Sequence, residues 1–214
     1  MKQIIIKSAL ATLGIVAGCA AIVFAVLSFG FPGTLCGWCE QLGNYGFAVK
    51  YASLCYSYTD DIADLARCAE DSVLSGKDRY IIEYCTMLVD DDDFDEYCSL
   101  RDEELAELPS FSYRQYIYGQ AACAVYRGGD LELAIGYGAE ALDGNLDRNA
   151  FSGNISDIVF PVNNALGTLA LEVIGREDGS AAEQLYALLG GFSPSEAAER
   201  EYLYTLLGGL DALL

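Results

Sequence analysis

The 214-residue sequence contains no histidine. This absence excludes serine or cysteine nucleophiles paired with histidine, histidine general bases and histidine metal ligands. An enzyme would need another set of acid, base and nucleophile, and the motifs present do not supply one. We therefore expect a protein that is not an enzyme, with no catalytic residue, no cofactor and no metal site.

Acidic residues are missing from the start of the chain, where the first is Glu40. All 32 acidic residues and ten of the 12 basic residues lie after Gly30, so this part, called the body, carries a formal charge of −22. Such a charge should repel nucleic acid and anionic lipid and would suit a basic protein partner. Its simpler meaning is solubility.

An uncharged apolar run of 22 residues occupies Ser8 to Phe29. A helix of this length spans the roughly 30 Å of a bilayer core, so residues 1–30 are predicted to be a single transmembrane anchor. Lys2 and Lys7 before the run predict a cytoplasmic N-terminus and an exported body. A cleaved signal peptide and a lipoprotein signal with lipidated Cys19 are the alternatives, and both also export the body.

Small residues lie within the predicted anchor, and aromatic residues lie at its outer end. Gly14 and Gly18 have the spacing that lets two membrane helices approach, which predicts self-association. Phe29, Phe31 and Trp38 are expected at the outer interface of the membrane.

Strand signals are almost absent, and the body reads as paired amphipathic helices. A short linker, residues 31–44, is predicted to join it to the anchor. Cys55 and Cys85 are 30 residues apart, as are Cys68 and Cys98, which indicates an internal repeat. The predicted helices cover residues 45–58, 62–74, 79–89, 94–108, 161–175 and 180–190, with a hairpin in 118–142 and a last helix capped by Ser193, Pro194 and Glu196.

One unit, residues 115–148, resembles a tetratricopeptide repeat. It places an aromatic residue and small residues at the positions where that repeat has them, namely Tyr118, Ala122, Ala134 and Ala141. It departs from the repeat at Ala121, Gly138 and Leu146. The resemblance implies an all-α fold, a right-handed stack of helical hairpins over residues 45–214 with a capping C-terminal helix, and a groove that binds peptides.

Two cysteine patterns allow redox readings. Cys36-x-x-Cys39 could act as a thiol–disulfide partner, although the strand and helix pattern of such catalysts does not surround it. In an oxidising compartment we predict bridges from Cys55 to Cys68 and from Cys85 to Cys98. Buried free thiols are the alternative.

An acidic run, Asp90–Asp93, separates two of the predicted helices. Asp91, Asp93, Asp95 and Asp102 have the spacing of a calcium loop, but Glu96 stands where that loop needs glycine, so a solvated turn is expected. The acidic run is our candidate for contact with a partner. Tyrosines that share helix faces are further candidates: Tyr80, Tyr84, Tyr113 and Tyr116.

The interior segment 143–157 reads as a loop and contains a glycosylation sequon at Asn154–Ser156. Together these patterns predict a membrane-anchored, extracytoplasmic adaptor or scaffold that binds another protein. A structural subunit of a membrane complex, held by its anchor, is the remaining alternative.

Overall fold

The computed structural model describes residues 2–107, 111–142 and 159–214, with side chains from Thr12 onward. The predicted loop at 143–157, its sequon, Pro109 and Leu146 lie outside these ranges. Within them the chain forms eleven helices and no strand. The helices are α1 (Lys2–Gly30), α2 (Pro32–Gln41), α3 (Tyr45–Thr59), α4 (Ile62–Ser75), α5 (Asp78–Val89), α6 (Phe94–Glu104), α7 (Tyr113–Arg127), α8 (Leu131–Glu140), α9 (Ala165–Gly175), α10 (Gly179–Leu189) and α11 (Ala197–Asp211).

Helix α1 contains the apolar run, and it meets the body near its end, where Ser28 and Phe29 line a cavity with residues of α3. Its segment Thr12–Gly30 has a mean hydropathy of 2.4, and none of it is buried. Among the described residues, one helix is long and apolar enough to cross a membrane, and it is this one. An amphipathic helix of a soluble domain would instead bury one face against its neighbours.

Helix α2 begins almost at once after α1, so most of the segment 31–44, predicted to be a linker, is helical. Only Phe31 separates the two helices, and Pro32 occupies the first turn of α2. Proline is favoured there because its missing N–H would have no partner in the helix and its φ is already helical. The CxxC motif therefore lies on a helix, with Cys36 buried against α3.

The body is built from neighbouring helices that pack in chain order. Helices α3 and α4 form a hairpin, α4 packs on α5, and α7 packs on α5, α8 and α9. The turn between α3 and α4 falls in the gap between the predicted helices 45–58 and 62–74: Asp60 is left-handed, and Asp61 caps α4 by accepting a bond of 2.8 Å from the Ala63 N–H. A continuous apolar core extends from α4 to α11.

The second predicted hairpin does not close as a packed pair. Helix α6 contacts α7 and α4 instead of lying along α5. The reason lies in its sequence, because α6 buries only Phe94 and Cys98 and presents charged residues elsewhere. Phe94 meets the ring of Tyr118 on α7 edge-on at 5.9 Å between ring centroids, which directs α6 toward that helix.

The repeat-like unit packs through small side chains. Tyr118, Ala122, Ala134 and Ala141 are all buried, as the resemblance implied for those positions. Gly138 lies against Leu166 of α9, and a Cβ at residue 138 would stand only 2.6 Å from Leu166 Cδ2. The absence of a side chain there sets how closely α8 approaches α9.

Helix α11 starts later than predicted. Glu196 is its N-cap residue, and the segment from Ser193 to Ser195 is not helical. Arg200 donates to the backbone oxygens of Pro194 and Ser195, which holds this segment outside the helix. A capping box starting at Ser193 is therefore not formed.

Candidate functional site

Two pairs of polar side chains face each other across α3, close to the end of α1. Cys36 and Glu40 are four residues apart on α2, and Arg67 and Asp71 are four apart on α4, so each pair shares one helix face. The α3 side chains beneath them are small and fully buried alanines, Ala48 and Ala52. Their size lets side chains from α2 and α4 meet. We call Cys36, Glu40, Arg67 and Asp71 the thiol–carboxylate cluster.

Distances inside the cluster are short. Cys36 Sγ lies 3.4 Å from Glu40 Oε1 and 3.5 Å from Asp71 Oδ2. The sulfur and one oxygen of each carboxylate all lie within 4.8 Å of one another. Arg67 forms a bidentate interaction with the Glu40 carboxylate, donating from Nε to Oε1 at 2.7 Å and from Nη2 to Oε2 at 2.9 Å.

Asp71 is the unusual member of the cluster, since it is a carboxyl group only 3% exposed. Among the described residues no basic side chain forms an ion pair with it, because the guanidinium of Arg67 is engaged by Glu40. Burial, and then the charge of Glu40, raise the pKa of the Asp71 carboxyl to about 6. The hydrogen bonds from Arg67 lower the pKa of Glu40. The two carboxyls therefore differ in how readily they ionise.

The thiols of the CxxC motif are not activated. Burial raises the pKa of the Cys36 thiol, and it also raises that of the less buried Cys39 thiol. The negative charges of Asp71 and Glu40 raise both pKa values further. A thiolate is the attacking species in thiol–disulfide exchange. Cys36 also lies in the middle of α2, away from the N-terminal turn whose N–H groups would stabilise a thiolate. The geometry gives the thiol–disulfide reading no support.

All eight cysteines are free thiols in the structure. Cys85 and Cys98 lie in the apolar core, where burial raises the pKa of each to about 12. Burial chiefly, with smaller contributions that include Cys55, raises the pKa of Cys68 to about 12. The bridges from Cys55 to Cys68 and from Cys85 to Cys98 are therefore not formed here, and their formation in an oxidising compartment stays a prediction.

The acidic run forms the turn between α5 and α6, with Asp90, Asp92 and Asp93 exposed and Asp91 half-buried. The calcium reading is not supported, because two of its four acids are engaged by residues of α7. Asp95 forms an ion pair with Arg114, and Asp102 Oδ1 accepts a bond of 2.6 Å from the Tyr113 N–H.

The four tyrosine candidates separate by burial. Tyr113 is 2% exposed and packs edge-on against Tyr97, so almost none of its surface is open to a partner. Tyr84 and Tyr116 are half-buried and pack against the core, and Tyr80 lies half-buried beneath the Lys77 ammonium. Four-residue spacing identified shared faces but could not show which face was turned inward.

Gly14 and Gly18 are exposed on α1, and an added Cβ would meet nothing within 4 Å at either position. Their surface is available for a second helix, and self-association stays a prediction.

Sequence reasoning missed Glu40, Arg67 and Asp71. The sequence does place a pair of polar residues four positions apart on α2 and another such pair on α4. That the two pairs lie close together, however, depends on how α2 and α4 pack over α3. Comparison with protein-family models, with curated proteins and with solved structures finds no match to this chain.

Proposed function

We propose that the protein is a membrane-anchored scaffold whose exported helical body binds a basic protein partner through its acidic surface. The observation that carries the proposal is the way charge is divided in the body. Five arginines of the body are engaged in ion pairs between or within helices, while most of the acidic run is turned toward solvent.

Five arginines of the body form ion pairs with carboxylates. Arg127 on α7 illustrates the arrangement, because its guanidinium lies 2.6 Å from Asp78 of α5 and 3.3 Å from Glu172 of α9. The other four are Arg67, Arg101, Arg114 and Arg176. These pairs hold helices together but leave most of the 32 acidic residues uncompensated by an ion pair among the described residues.

The excess of negative charge is concentrated near the first helices of the body. Residues 60–107 contain 17 acidic residues and four basic ones, a balance of −13. A surface field of this kind accelerates association with a basic surface more than it deepens affinity, and salt weakens it over about 10 Å at 0.1 M. The acidic run, at the turn after α5, would be the first part of this surface that such a partner meets.

The anchor and the stack complete the proposal. Helix α1 crosses the membrane with Lys2 and Lys7 on the cytoplasmic side, and the body lies outside the cytoplasm. Helices α7 and α8 form a hairpin like that of a tetratricopeptide repeat, which is supported by their buried small residues, and we propose that it belongs to a stack of hairpins that α6 interrupts. Helical stacks of this class present extended surfaces to peptides and proteins.

The test uses the full chain in detergent. Partners are cross-linked in native membranes and identified, and the association rate of the purified partner is measured with the wild type and with a variant in which Asp90–Asp93 are changed to Asn. A matched control removes four charges at the other end of the body, at Glu183, Glu199, Glu201 and Asp211. Circular dichroism checks that helix content is unchanged.

We expect the Asp90–Asp93 variant to associate about tenfold more slowly at low salt, with the difference disappearing near 0.5 M salt. The control should slow association far less, because its charges lie away from the proposed contact. Equal rates for the wild type and the Asp90–Asp93 variant, or equal slowing in both variants, would contradict the proposal.

A further inference from the structure

We infer that Cys36, Glu40 and Asp71 form a binding site for a divalent transition-metal ion, with Zn²⁺ the best fit. The site would join α2 to α4. It is independent of the proposed partner binding, and it departs from the expectation that the sequence contains no metal site.

The separations of the ligand atoms match tetrahedral zinc. With Zn–S near 2.3 Å and Zn–O near 2.0 Å, tetrahedral angles place a sulfur and an oxygen ligand about 3.5 Å apart. Cys36 Sγ stands 3.4 Å from Glu40 Oε1 and 3.5 Å from Asp71 Oδ2. Both sulfur–oxygen edges of the tetrahedron are thus already present, and the three atoms lie within 4.8 Å of one another.

A hydrogen-bonded thiol has similar distances but does not account for the whole arrangement. Cys36 Sγ lies within 3.5 Å of three oxygens, from Glu40, Asp71 and the Ala48 carbonyl, and a thiol has one proton for a single donor bond. Besides this weak donor, Asp71 interacts with the Glu40 carboxyl group and, beyond ion-pair distance, with the charge of Arg67, all in a nearly closed setting. A buried carboxylate in that position is stabilised by a cation.

Charge also favours a divalent ion. The ionised thiol and two carboxylates carry three negative charges, which a divalent cation and Arg67 balance together. Arg67 would act behind the ligands, because its two bonds to Glu40 fix the orientation of that carboxylate and leave one lone pair on Oε1 for a metal. Binding would release the thiol proton to solvent. One tetrahedral position remains for water.

Other cysteines provide the comparison that the test requires. Cys98 and Cys123 are buried, as Cys36 is, but neither belongs to a group of three candidate ligands within the described part of the chain. Replacing either with serine changes a buried thiol without touching the proposed site.

The experiment uses the full chain purified in detergent with a reductant and stripped by a chelator. Zinc content is measured after equilibration with Zn²⁺ and desalting, and Co²⁺ replaces Zn²⁺ in a parallel sample to reveal sulfur coordination by absorption. The variants are Cys36→Ser and Asp71→Asn, both close in size to the wild type, with Cys98→Ser and Cys123→Ser as controls. Circular dichroism of each variant without metal verifies folding.

We expect one tightly bound Zn²⁺ per chain and a thiolate-to-cobalt absorption band in the wild type and both controls. Cys36→Ser should abolish the cobalt band, and Asp71→Asn should weaken zinc binding by at least tenfold. Zinc at 100 times its dissociation constant should raise the Tm of the wild type by about 5 to 10 °C and that of the site variants by much less. Zinc binding that is absent, or that is equal in Cys36→Ser and the wild type, would overturn the inference.

Discussion

A methyl group added at Gly138 tests how tightly α8 and α9 are packed. The new Cβ would lie 2.6 Å from Leu166 Cδ2, 3.0 Å from Cγ and 3.4 Å from the backbone Cα. Leu166 is fully buried, so it cannot swing into solvent. Overpacking of a core costs about 1 to 3 kcal/mol. Replacing a helical glycine with alanine returns up to about 1 kcal/mol.

Gly138→Ala should therefore lower the free energy of unfolding by roughly 1 to 2 kcal/mol, or the Tm by about 3 to 6 °C for a body of this size. Thermal unfolding followed by circular dichroism in detergent measures the change. Gly208→Ala is the matched control, because Gly208 is helical and exposed and its added Cβ would meet nothing within 4 Å. The control should gain up to about 1 kcal/mol. If Gly138→Ala gained stability as the control does, the close approach of α8 and α9 would be refuted.

Three further predictions concern the body and its placement. Arg127→Met should lower the free energy of unfolding by about 1 to 2 kcal/mol, since Asp78 and Glu172 both lose a charged donor. Arg127→Lys should restore only part of this stability because lysine lacks the planar guanidinium group. Urea titration measures both changes. In an oxidising compartment Cys55 and Cys68 should form a bridge stabilising by about 3 kcal/mol, and alkylation with mass spectrometry before and after reduction would detect it. Two alkylated thiols without reduction would contradict this prediction. Protease added to intact cells should digest the body, and full protection until lysis would reverse the proposed topology.

The helices of the body were largely predictable from the sequence because their periodic apolar residues face one shared core. The turn at Asp60–Asp61 was predictable for a local reason, since an aspartate cap depends only on its next few residues. Which helices pack against each other was less predictable. The sequence of α6 predicts a helix, but its choice of α7 over α5 depends on where Phe94 meets Tyr118, a contact between residues distant in the chain.

The candidate site shows the same limit. Cys36 was singled out from its CxxC spacing, whereas its structural partners are Glu40 and Asp71, the second on a different helix. Nothing in a single sequence marks Asp71 as buried, because aspartate is mostly exposed in proteins. Tyr113 shows the same limit, since its spacing from Tyr116 predicts a shared helix face but not that its ring is almost fully buried in the core.

The junction at Phe31 has a mechanical consequence. Its N–H donates to Leu27 of α1 at 3.0 Å, and its carbonyl accepts from Thr34 of α2 at 3.1 Å, so both sides of this one-residue hinge are tied. A body held this way has little freedom to swing, unlike one on a flexible tether whose reach grows with its length. If α1 lies in a bilayer, the body stays within a shallow layer above it. Partners that are themselves membrane-bound would then meet it at a high effective concentration, while a distant soluble protein would have to come to the surface.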